Sequence, residues 1–290
     1  MIGRSRAAGL LSAACCVVGA AACYATHEYS DGRQSRAIGL GGSLSLRLEV
    51  AAGRSAIGHG DPDRLYDLRM RYCGNHFAPR LWRGADGDRV LFRAGLKRLR
   101  RSDDGTAPPG GERNDIDLLL GPAVPIDLSL ELGEGRHVAE LGGLRLTRLD
   151  VATDAGATTI SFSEPLIGGL GVFTLSGGPG RLNVSGLGHA APSHFTLDAG
   201  DGEFMIDLSG DWRGQPVLHI DVRLGDVTLM IPRALGVELT ASRPDSGDLA
   251  LAGFRLENGT YRKPGLDAAL PTIAIRVGEG LGTVTARLTD

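Results

Sequence analysis

The chain has 290 residues, 42% hydrophobic and 22% charged, which excludes a disordered segment and allows one large or two medium domains. A formal net charge of −3 excludes a nucleic-acid footprint and gives no overall attraction to an anionic membrane. Glycine at 44 residues without a collagen period, beside 5% aromatics, announces many tight corners around a thin aliphatic core.

The chain opens with Arg4 and Arg6 and then an uncharged, Ala-rich run from Ala7 to Thr26. This three-part pattern reads as a secretory signal peptide over 1–25. A membrane span is the other reading, but the run is only just long enough and weakly hydrophobic. Three of the four cysteines lie here, and "AAAC" at 20–23 resembles a bacterial lipobox with Cys23 as the acylated residue. It departs from such boxes in having Ala20 in place of leucine. Without the leader, Cys73 stands alone and no intrachain disulfide is possible.

Residues 26–40 are polar and read as a spacer. A smaller antiparallel β region is expected over 41–101. There Leu44, Leu46, Leu48 and Val50 alternate with polar residues, as do Tyr66, Leu68, Met70 and Tyr72. "RVLFRAGLKRLR" (89–100) is a further strand whose basic cluster, Lys97, Arg98, Arg100 and Arg101, suits a solvated edge. Turn formers and charge make 102–115 a linker.

From 116 to 290 a unit repeats: an alternating strand, a glycine corner and a second strand. Leu149, Val172, Phe195 and Leu218 stand 23 residues apart and open successive units. The corners place Gly133, Gly135, Gly156, Gly178, Gly180, Gly200, Gly202 and Gly225 where a bend needs positive φ or close approach of neighbouring coils. Two strands of about five residues bury too little to stand alone, so each coil must stack on the next. The expectation is an all-β chain, a β-solenoid of stacked coils, interrupted at 255–270 and closed by 272–288.

"PIDLSLELGEGRHVAELGGLRLTRLDV", "DLSGDW" and "IPRALGVEL" resemble the bacterial toast-rack domain, best over 113–245 and more loosely over 40–101 and 246–290. The resemblance implies a single-stranded β-helix-like toast rack in the cell envelope. It also links to envelope-stress proteins of the LiaF type, whose several membrane helices are absent here.

Chemistry is sparse. G-x-S-x-G, H-E-x-x-H and C-x-x-C are all missing. His189 and His194, five apart, lack the neighbouring ligands of a metal site. Asp198, Asp201, Asp207 and Asp211 with Trp212 raise a carbohydrate-active alternative, since glycosidases use paired carboxylates. Outward acids on a solenoid more often serve solvation. The expected protein is a non-enzymatic exported interaction, scaffold or adhesin-like module, periplasmic or extracellular. It has no catalytic residues, cofactor, metal or nucleic acid. Its partner is an unidentified protein or wall component, and it meets the membrane only through the leader or a lipid anchor.

Overall fold

The computed structural model describes residues 29–37, 42–74, 76–99, 114–214, 216–242, 249–263, 272–278 and 281–290. The leader, Cys23 and linker residues 102–113 lie outside these. Among the described residues no helix is long and apolar enough to cross a membrane.

Period-two alternation produces strands almost throughout. They begin with β1 (Tyr29–Ala37), β2 (Ser43–His59), β3 (Arg64–Cys73), β4 (Phe77–Asp86), β5 (Arg89–Arg98), β6 (Asp115–Leu120) and β7 (Ile126–Glu140). Next come β8 (Leu146–Thr153), β9 (Gly156–Ser161), β10 (Val172–Gly177) and β11 (Arg181–Ser185). The single turn of helix α1 (Leu187–Ala190) precedes β12 (His194–Ala199), β13 (Glu203–Asp207), β14 (Val217–Val222), β15 (Asp226–Pro232) and β16 (Gly236–Ala241). The short β17 (Leu249–Leu251), β18 (Arg255–Glu257) and β19 (Thr260–Arg262) lead to β20 (Thr272–Val277) and β21 (Thr283–Thr289).

Two parallel ladders result. The first runs β5, β2, β7, β8, β10, β12, β14, β20, β16, with β4 antiparallel outside β5. The second runs β6, β2, β7, β9, β11, β13, β15, β21, β17, with β3 and β1 antiparallel outside β6. The long strands β2 and β7 pass through the corner and serve both ladders. The predicted solenoid is present, and its antiparallel pairs cap the amino-terminal end. Each coil alone could not bury its inner side chains, and stacking supplies the missing apolar neighbours. Leu46, Leu128, Leu149, Phe173, Phe195, Leu218 and Ile275 form one continuous inner row, all 0–1% exposed. Phe173 meets Phe195 edge to face at 5.1 Å.

Five expectations need correction. Val172 does not open a coil: Phe173 pairs with Leu149 and with Phe195, giving spacings of 24, 22 and 23 residues down to Leu218, and Val172 faces out beside Arg148. A one-residue offset moves a strand residue to the opposite face. Residues 29–37 are not spacer but β1, paired along its length with β3. The linker ends before Asn114, which is 1% exposed, accepts from the Cys73 N–H at 3.1 Å and donates to Ala52 O at 3.0 Å. Residues 41–101 are not antiparallel throughout, because β2 runs parallel to β5, β6 and β7. The strands β20 and β21 do not close the solenoid but slot inside β16 and β17.

The amino-terminal end mirrors that last arrangement. The coil of β5 and β6 lies outside β2, so the first and last long strand segments each sit one coil in from an end. Within the 255–270 interruption, Asn258 (φ 51°) and Gly259 (φ 79°) turn the hairpin β18–β19, the Asn-Gly pair that favours a type I′ turn.

Candidate functional site

Where the ladders meet, glycines stand in register: Gly53, Gly135, Gly156, Gly180, Gly202, Gly225 and Gly282. A Cβ on Gly202 would lie 2.3 Å from Gly180 O, and one on Gly225 would lie 2.3 Å from Gly202 O. The coils approach here closely enough for direct bonds, such as Glu203 N to Gly180 O at 2.9 Å and Thr283 N to Gly225 O at 3.0 Å. Close approach, rather than positive φ, sets the residue type over most of the column; only Gly53 and Gly135 have positive φ there. Gly133, Gly178 and Gly200 crowd Ala51 O, Thr153 O and Gly177 O in the same way. Gly282 escaped the sequence reading, because Leu281 precedes it where Gly53 follows two alanines.

Three inner positions at the amino-terminal end of the second ladder are polar: Ser55, His137 and Thr158, each 1–4% exposed. His137 bonds Ser55 Oγ through Nδ1 at 2.9 Å and Gly133 O through Nε2 at 3.2 Å. With Nε2 donating to the carbonyl, Nδ1 accepts from the serine hydroxyl. Burial lowers the histidine's pKa, only partly offset by the bond to Gly133. A hydroxyl held by an imidazole has the form of an activated nucleophile, but both groups are sealed inside. They act as a polar plug in the core.

The acids singled out in the sequence do not converge. Asp198 projects from β12 and pairs with Arg223 Nε at 3.2 Å, while Asp201 stands at the corner. Asp207 lies on β13, where it takes bonds from Ser209 N and Oγ at 2.9 and 2.7 Å. Asp211 lies beyond the end of β13, 3.9 Å from His189 Nδ1. Trp212 is 7% exposed with its N–H on Leu208 O at 2.7 Å, so it offers no sugar platform. His194 faces out on β12, away from His189. Among the described residues no group of three His, Cys, Asp or Glu is placed to hold a metal ion.

A cleft of about 590 Å³ opens on the outer face beside Gly133, lined by Glu49, Glu131, Asp154, Arg80 and Lys97. Glu49 and Glu131 are register partners, and Arg47 salt-bridges both. Farther along, the outer rows are short and polar: Thr174, Thr196 and His219 in one, Ser176, Asp198 and Asp221 in the next.

Residues 39–166 match the N-terminal domain of toast_rack, DUF2154. No curated protein matches the sequence. Among solved structures, a candidate cell adhesion protein from Clostridium sporogenes is similar at 14% identity, covering 90% of this chain and 100% of its own, with a TM-score of 0.45. A candidate adhesin from Bacteroides fragilis shares 11% identity, with coverages of 89% and 97% and a TM-score of 0.35. With scores below 0.5, these likenesses lend nothing to the reading of function. The family match covers residues 40–101, where the sequence resemblance is looser, and runs on through 113–166, where it is stronger.

Proposed function

We propose, from a chain that carries a toast-rack N-terminal domain over residues 39–166, a non-enzymatic exported envelope protein that works as an adhesin-like interaction or scaffold module. The dispersal of Asp198, Asp201, Asp207 and Asp211 over different sides of the coil, with Trp212 buried, carries this reading. What remains is a long outer face of short polar side chains, a surface for contact rather than for turnover. Any tie to envelope stress rests on the family resemblance alone.

The reading is tested with purified envelope fractions. Binding should be weakened at least tenfold by Thr174→Glu combined with Thr196→Glu, changes at outward positions that leave the melting curve in place. The acid variants Asp198→Asn and Asp207→Asn should release no less sugar from wall polysaccharide than the parent, because the parent releases none. Release by the parent that these variants abolish would establish the glycosidase reading instead. Export and anchoring are read separately: Cys23→Ser should free the protein from membranes if that cysteine is acylated.

A further inference from the structure

We propose that the β4–β5 hairpin docks the amino-terminal end of the solenoid on an anionic phospholipid surface. Beyond β4 no further strand pairs among the described residues, and Pro79, Arg80, Leu81, Trp82 and Arg83 are all exposed in succession. Leu81 faces the inner side by register, opposite Ala94, yet is 41% exposed, and Trp82 on the outer side is 50% exposed. Leu99, at the end of the hairpin, is 44% exposed.

The charge around these apolar groups is one-sided. Residues 76–99 hold six arginines and lysines against two aspartates, although the whole chain is net acidic. Arg89 and Arg98 are neutralised by Asp127 and Glu134. Arg80, Arg93 and Lys97 have no acidic partner among the described residues, and register places them around Gly95, with Trp82 opposite Arg93. The Arg93 guanidinium lies 5.6 Å from the indole centroid. The indole itself lies over Gly84, where any Cβ would meet the ring at 2.5 Å.

An exposed indole and leucines ringed by unpaired cations fit the boundary between lipid head groups and acyl chains. Self-association through β4 would bring Arg80 and Arg83 against their own copies, and Pro79 withholds a ladder donor, so a second copy of this chain fits poorly. Arg83 bonds Gln34 of β1, which places β1 at this same end. For a chain that also carried an acyl group this hairpin would be a second membrane contact, and stable anchoring takes two signals.

The test uses the full chain carrying Cys23→Ser throughout, so that no acyl group contributes and any effect of the leader is common to all variants. Partitioning is measured onto mixed phosphatidylcholine–phosphatidylglycerol vesicles and onto pure phosphatidylcholine. The parent should prefer the anionic vesicles, and physiological salt should weaken that binding relative to low salt. Replacing Arg80, Arg93 and Lys97 by serine should lower partitioning roughly a hundredfold, at about fivefold per cation, with an unchanged melting curve. The chain has two tryptophans and Trp212 is buried, so a blue shift of emission on binding reports Trp82 and should vanish in Trp82→Phe. Equal partitioning of parent and triple variant overturns the proposal. So does an unshifted emission, or binding to a soluble phosphate-bearing wall polymer with the vesicles ignored.

Discussion

A methyl group added at Gly202 would stand against a backbone carbonyl of the neighbouring coil, which cannot swing aside as a side chain can. Gly202→Ala should therefore already destabilise, and Gly202→Val should cost about 1–3 kcal/mol as overpacking. Asp201→Asn next to it should change stability by less than about 0.5 kcal/mol. Urea melts of the variants compare the two directly. His137 gives a pH signature. Its folded pKa is lowered from 6.5, so between that lowered value and 6.5 the unfolded chain binds the extra proton. The stabilisation is complete above 6.5 and is lost as pH falls through that window. The double variant Ser55→Ala, His137→Leu removes both partners of the buried bond, and its urea midpoint should depend less on pH below 6.5 than the parent's. Lys263 matters more than its rarity suggests. The residue is 7% exposed, and its ammonium donates to Leu235 O at 2.8 Å and to Arg233 O, closing the turn after β15. Lys263→Met should leave these carbonyls unpaired and cost about 2–3 kcal/mol in a thermal or urea melt.

At the scale of elements, the order of strands in space differs from their order in the chain at both ends. If β20 and β21 were the outermost coil, deleting 272–290 would leave a shorter but intact stack. Because they lie between β14–β15 and β16–β17, the deletion should instead strip β16 and β17 of their parallel partners and abolish a cooperative melt. Differential scanning calorimetry distinguishes the two. Such register between distant strands was not legible in the sequence. Alternation identified the inner faces of β2, β7 and β11 through β15, since Leu, Ile and Phe recur at period two. It could not say that Phe173 rather than Val172 takes the inner row, because both are apolar and only the neighbouring coil decides. The strand β4 was missed because Pro79, Gly84 and its arginines disguise an edge strand. The hairpin β18–β19 was missed because Asn258-Gly259 was weighed as an interruption rather than a turn. Of the sites, the glycine corners were legible from their spacing. The basic and aromatic patch was only half legible: Lys97 and Arg98 announced charge, whereas Trp82 and Arg80 belonged to the strand that went unread.

Over the whole molecule, nearly every stabilising pairing is non-local, and β2 and β7 tie the two ladders into one stack. The match to the N-terminal toast_rack domain ends at residue 166, but β8 and β9 are paired on their far side by β10 and β11. A fragment of residues 29–166 would bare two full strand edges. It should associate or precipitate where the complete chain stays monodisperse in size-exclusion chromatography with light scattering. Folding should also be slow for the chain's size, on the order of milliseconds to seconds or longer, as for other topologies dominated by distant contacts.

The inset position of the last strands has a mechanical meaning for a chain pulled from its two ends. A pull on the carboxyl terminus does not peel a strand from a free edge, one bond at a time. It loads β21 while β15 and β17 grip it on either side, and seven residues of β15 lie in register along its length. The bonds along both flanks must then yield together rather than in sequence. The final strand becomes a clasp set within the stack, and an outermost position would have made it a loose thread.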